Sequence, residues 1–236
     1  MSLSGTIGIN REEFSLVVPL DVEGGEVLGL VGRNGAGKTT VLRAVAGLER
    51  LNLGALALDD QILDDAGRRF VPAFHRSVGM VFAGGTLFPH LDALENVSFG
   101  VAGGRQTKRR EATAWLERFG VAELRHRRPD ELSRGQAHKV ALARAFARRP
   151  RILLLDEPTA ALDKGSRPEV RALVAETVSA MSTLCIVASH DVDEILQLCS
   201  RVLVLDEGRV KHTGTPQDLL ASAALVVEPN VVPGDG

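Results

Sequence analysis

The chain has no tyrosine, one tryptophan, two cysteines and no marked excess of either charge. Two cysteines in 236 residues cannot frame a disulfide scaffold. Cys185 sits in the apolar run 184–188 and reads as a small core residue, which fits a reducing compartment. Twenty-eight basic against 30 acidic residues leave a formal charge of −2. A nucleic-acid-binding domain would carry a basic excess, so no nucleic-acid partner is expected. The short basic runs 108–110 and 125–128 read as solvated helix ends. No apolar run approaches the ~18 residues of a spanning helix, and the N-terminus lacks the basic-then-apolar order of a secretory signal. A cytoplasmic protein is expected, reaching a membrane only through a partner.

Short apolar runs alternate with helical patterns, the sign of a mostly parallel sheet covered by helices. The runs predict strands at 4–9, 14–20, 26–31, 55–58, 77–82, 151–155, 184–188, 201–205 and 209–213. The first two form a hairpin, giving an antiparallel edge. Residues 152–155 are apolar at every position, as in a central parallel strand. Between 83 and 150 helical periodicity dominates: Ala112, Trp115, Leu116 and Phe119 mark one stripe, and Val140, Ala143, Arg144 and Ala147 a second helix. The sequence thus predicts one α/β domain over 1–236. Its core takes in about 1–82 and 151–220, a helical subdomain is inserted at 83–150, and a short polar tail at 221–236 is expected to fray.

Gly32, Arg33, Asn34, Gly35, Ala36, Gly37, Lys38 and Thr39 match the pattern of a phosphate-binding loop between a strand and a helix, with Thr40 next in line. Glycines let backbone N–H groups wrap phosphate oxygens, and a helix N-terminus adds positive potential. Lys38 would reach the β- and γ-phosphates, and the Thr39 hydroxyl would ligate Mg²⁺. The run 152–155 ends in Asp156 and Glu157, at the sheet edge where open α/β folds bind ligands. Asp156 would hold Mg²⁺, and Glu157 would orient or deprotonate the attacking water. Adjacent side chains on a strand face opposite ways, so this division of roles is natural.

Between these motifs lies Leu132-Ser133-Arg134-Gly135-Gln136, and here the chain resembles an ATP-binding-cassette ATPase. That family's signature reads Leu-Ser-Gly-Gly-Gln, so Arg134 replaces a glycine. The segment 157–163, ending in Asp163, resembles the family's second carboxylate and interface loop. Ala188-Ser189-His190 resembles its switch-histidine segment. The resemblance covers roughly 3–220. It implies a P-loop fold with ATP and Mg²⁺ as cofactors, and a homodimer closing on two ATP molecules. Ser133, Arg134, Gly135 and Gln136 of one chain would then lie beside ATP bound by the other. Lys38, Glu157 and His190 would be catalytic, and Asp163 would link the sites. Residues 81–100, 29–40 and 56–65 are similar to importer ATPases, particularly those for molybdate, sulfate and related anions. Two transmembrane permease subunits, a substrate-binding protein and a place on the inner face of the cell membrane are implied. Such relatives often continue into a C-terminal regulatory β-domain, expected to be absent here because the sequence stops at 236.

Two further departures qualify the resemblance. Where the family carries a glutamine after the strand 77–82, this chain has Ala83. Either a positioning group is lost, at a cost on the order of 10² in rate, or another water takes its place. The first alternative makes the chain a degenerate module that uses ATP to dimerise but barely hydrolyses it. The adenine-stacking aromatic is also displaced: Phe14 is the one aromatic before the phosphate loop, while the expected spacing falls nearer Ile9.

Overall fold

The computed structural model describes residues 1–12 and 14–221, so the polar tail lies outside the described residues from position 222 on. Alternating burial shapes the first two strands, β1 (Ser2–Arg11) and β2 (Phe14–Glu23), which pair antiparallel from Ser2↔Glu23 to Arg11↔Phe14. The buried strand β3 (Val27–Gly32) leads through the glycine-rich loop into α1 (Lys38–Ala46). Strands β4 (Leu53–Leu58) and β5 (Gln61–Asp64) make a second hairpin, followed by β6 (Val78–Val81). The next α elements are α2 (Ala93–Ser98), α3 (Arg105–Arg118) and α4 (Arg134–Ala147), with no intervening strand. The chain then alternates through β7 (Ile152–Asp156), α5 (Arg167–Met181), β8 (Leu184–Ala188), α6 (Val192–Leu198) and β9 (Arg201–Asp206), and ends in β10 (Arg209–Gly214) and α7 (Pro216–Ala221).

The ten strands of the described residues form one sheet in the order β5-β4-β1-β2-β10-β9-β3-β8-β7-β6. Its β9-β3-β8-β7-β6 half is parallel, and the hairpins at the other end are antiparallel. The strand expected to be buried on both faces is so: Leu153 and Leu155 join the core under α2–α5, while Ile152 and Leu154 join the core between the sheet and α1. Trp115 fills the helical side, its ring stacked on Phe146 at 5.5 Å with Phe119 beside it. Cys185 and Cys199 are buried and free.

The sequence did not predict β5. The strand has four residues at the sheet edge, Gln61 and Ile62 face outward, and no apolar run marks it. Its local signal is the two-residue turn Asp59-Asp60, with Asp59 at a φ of 50°. Arg144, assigned by periodicity to the second helix, lies in α4 and spans the turn after β6. It donates to the Thr86 carbonyl at 2.5 Å and to Asn96 Oδ1 at 3.3 Å, and lies over the Phe88 ring. Buried Asn96 closes the same loop by bonding to the Phe88 and Leu91 backbone. Arg76, 2% exposed, fixes the far end of α1 by donating to the Ala44 and Val45 carbonyls, each at 2.8 Å. The helix behind the glycine-rich loop is therefore held at its C-terminus by a guanidinium.

Candidate functional site

The glycine-rich loop turns where side chains cannot go. Gly37, at a φ of 105°, is the N-cap of α1, and an added methyl would lie 2.6 Å from Leu16 Cδ1. At Gly32 an added methyl would lie 2.2 Å from the Leu205 carbonyl oxygen. No side chain among the described residues caps α1, so its first N–H groups are directed at the cleft. The cleft encloses about 320 Å³ and is lined by Phe14, Asn34, Gly35, Gly37, Lys38, Thr39, Thr40, Ala83, Asp156 and Glu157. Lys38 Nζ donates to the Gly32 carbonyl at 2.6 Å and the Arg33 carbonyl at 3.1 Å. Burial pulls the Lys38 ammonium below its ordinary pKa, while the carboxylates of Glu157 and Asp156 push it back up.

Strand β7 delivers the two acids. Thr39 Oγ1 donates to Asp156 Oδ2 at 3.0 Å, bridging 117 positions of sequence. Burial raises the Asp156 pKa; the Thr39 hydrogen bond and the Lys38 charge oppose it. Glu157 leaves the strand at a φ of 54°, a left-handed conformation costing a non-glycine residue about 1–2 kcal/mol. Its N–H bonds to the Ala188 carbonyl at 2.8 Å, and its Oε1 lies 2.6 Å from His190 Nδ1. The loop after β8 thereby brings His190 against Glu157, an acid and an imidazole 33 positions apart in sequence.

The remaining expected residues stand elsewhere. Ser133 is the N-cap of α4 in a reciprocal box with Gln136: Gln136 N–H donates to Ser133 Oγ at 3.2 Å and Ser133 N–H to Gln136 Oε1 at 2.9 Å. Gly135 presses on the loop after Glu157, where an added methyl would meet the Ala161 carbonyl at 3.3 Å. Arg134 is exposed. Asp163 accepts from the Ser166 N–H and hydroxyl, which hold its carboxyl below the ordinary range. None of these residues lines the cleft in its own chain. For the base, Phe14 borders the cleft, whereas Ile9, nearer the expected spacing, is 2% exposed in the core.

Periodicity gave no sign of a buried network behind Glu157 and His190. The Thr159 hydroxyl lies 2.5 Å from Glu194 Oε1, and Arg171 donates to Asp191 Oδ2 at 2.8 Å and to Thr159 Oγ1 at 3.3 Å. These bonds tie the segment after Glu157 to the segment after His190. The readable signal was the acid-rich stretch Asp191–Glu194, whose first member caps α6.

The ABC transporter family model matches residues 17–160, which include the loop, the cap of α4 and both acids. The chain belongs to the ABC transporter ATPase family. It is 43% identical over 204 residues to the Fe(3+) ions import ATP-binding protein FbpC of Mesorhizobium japonicum, covering 86% of this chain and 56% of that protein. It is 39% identical over 215 residues to the molybdenum import ATP-binding protein ModC of Thiobacillus denitrificans, covering 91% of this chain and 59% of that one. The chain thus spans less than two thirds of the length of either relative. The fold is similar to the dimeric, post-hydrolysis ATP-binding cassette MJ0796 bound to ADP and Pi, with a TM-score of 0.78 at 25% identity over 91% of this chain and 98% of that one. Among the described residues of this chain, no helix is long and apolar enough to cross a membrane.

Proposed function

We propose that this chain is the ATP-hydrolysing subunit of an importer. The observation that carries the reading is Glu157 held 2.6 Å from His190 at the rim of a cleft that also contains Lys38, Thr39 and Asp156. Residues 32–40 cradle the phosphates of ATP, and Lys38 turns its ammonium from the loop carbonyls to the β- and γ-phosphates. Glu157 takes the proton of the attacking water as the bond between the γ-phosphorus and ADP breaks. His190 orients Glu157 and faces the γ-phosphate. The adenine rests on Phe14.

The hydroxyl of Thr39 and the carboxylate of Asp156, already 3.0 Å apart, are hard oxygen donors that suit Mg²⁺. When bound, the ion supplies charge neutralisation at the phosphates. Burial favours the protonated form of Asp156, and the Thr39 hydrogen bond and the Lys38 charge act against it.

Because Ser133, Arg134, Gly135, Gln136 and Asp163 lie outside the cleft of their own chain, they suit the ATP site of a second copy. A homodimer closing on two ATP molecules follows, acting on two permease subunits with a substrate-binding protein from the inner face of the membrane. The similarity to ModC supports the oxyanion cargo expected from the sequence, molybdate or sulfate, while the higher identity to FbpC supports Fe(3+) instead. The cargo itself meets the permease and binding protein. The reading of a degenerate module rests on Ala83, a single methyl at a cleft lined by Lys38, Asp156 and Glu157, the last in contact with His190.

The test is ATP turnover against protein concentration, with Lys38→Ala as control. Turnover rising faster than linearly and lost in the control is expected. A linear dependence would refute the shared site, and turnover equal to the control would refute the hydrolase.

A further inference from the structure

His138 lies in α4, five residues beyond the cap Ser133, and is fully buried. Its Nε2 is 2.6 Å from the carbonyl oxygen of Pro158. A carbonyl only accepts, so Nε2 carries the proton, and Nδ1 is left buried with no hydrogen-bond partner among the described residues. Burial pulls the imidazole below its ordinary pKa, so the neutral tautomer holds. An orphaned nitrogen in the interior is a cost that a leucine of similar size would avoid, so packing alone does not account for histidine here.

The bond to Pro158 does account for it. Pro158 has no N–H of its own, so its carbonyl is the one backbone handle on the residue that follows Glu157. Glu157 sits at a left-handed φ of 54° and needs fixing on both sides. Its N–H is fixed to Ala188 in β8, and the carbonyl beyond it is fixed to His138 in α4. A third segment meets the same ring. Gly85, two residues past Ala83, packs so closely that an added methyl would lie 2.8 Å from His138 Cα and 3.0 Å from Nδ1.

We propose that His138 is a positioning residue that locks the Glu157–Pro158 backbone to α4 and to the turn at Gly85. Glu157 then meets His190 in reactive geometry only while those segments are docked. This inference rests on the hydrolytic reading above. It adds a route by which a displacement of α4, or of the turn carrying Ala83, reaches Glu157 without touching ATP.

The test compares full-length wild type with His138→Leu, His138→Gln and Glu157→Gln. Leucine fills the space without donating, and glutamine restores an N–H donor. The expected result is kcat about 30-fold lower for leucine, with the KM for ATP within about twofold of wild type, and kcat within about threefold for glutamine. Thermal stability of the leucine variant should change little, since one orphaned atom replaces another. Nitrogen NMR of the wild-type imidazole at pH 7 should show the proton on Nε2 and a bare Nδ1. A leucine variant at wild-type kcat, a glutamine variant as slow as leucine, or a proton on Nδ1 would each overturn the inference while leaving the hydrolase standing. Wild-type turnover no higher than that of Glu157→Gln would bring down both.

Discussion

Replacing Glu157 with glutamine separates chemistry from binding. Glutamine keeps the length and an oxygen that can accept from His190 Nδ1, so the 2.6 Å contact and the N–H bond to Ala188 both have a counterpart in the variant. The left-handed backbone at φ 54° is no worse for glutamine than for glutamate. What disappears is the charge and the basic oxygen. A positioned general base contributes about 10²–10⁴ in rate, which raises the barrier by about 3–5 kcal/mol when removed. Binding moves the other way. The Glu157 carboxylate stands close enough to Lys38 to raise that ammonium's pKa, so it also repels an incoming phosphate. Its neutralisation leaves ATP affinity equal or higher. The assay pairs steady-state phosphate release with equilibrium binding of a fluorescent ATP analogue. Release within threefold of wild type would show that another group takes the proton. Loss of binding alongside loss of turnover would show that Glu157 holds the loop rather than serves the reaction.

Further outcomes follow from the same geometry. Burial raises the Asp156 pKa, so this carboxyl favours the native state while protonated, and that contribution is lost as pH rises through its folded-state value. At pH 7 it is a net cost, and Asp156→Asn should melt about 2–6 °C higher in the absence of nucleotide and metal, by scanning calorimetry, while losing turnover. MgATP at about 100 times its Kd should raise the melting temperature of wild type by about 5–10 °C and leave Lys38→Ala unmoved. Phe146→Ala, emptying the stack on Trp115, should cost about 3–5 kcal/mol in urea unfolding. Ala83→Gln, placing an amide at the cleft rim, should raise turnover if a positioning group is missing there and leave it flat if water already serves.

Where patterns were local, the sequence carried the fold. The glycine-rich loop followed a strand and opened a helix, and Ile152–Asp156 was apolar to its last acid, so both were legible in place. β5 was not, because a four-residue edge strand with two outward residues leaves no periodic trace. In the site, Lys38, Thr39, Asp156 and Glu157 come together as expected, and His190 joins them through a loop that the family resemblance pointed to. His138, Arg171 and Glu194 could not be read this way. Their meaning lies in partners 20, 20 and 35 positions away, and each sits in a helix as an ordinary polar residue. Charge and periodicity report what a residue is beside in sequence, whereas these groups depend on what the sheet order places across from them.

That sheet order also sets a timetable. Strand β3, which launches the phosphate loop, has β8 and β9 as its neighbours, and both are made late. A ribosome adding about 5–20 residues per second needs on the order of 8–30 s after β3 before β8 exists to flank it. Throughout that interval the strand has two open edges and the loop lacks His190, and for most of it Asp156 and Glu157 are missing as well. The nascent chain therefore cannot spend ATP, and it carries a sticky strand that a holding chaperone has reason to cover until β8 and β9 are made.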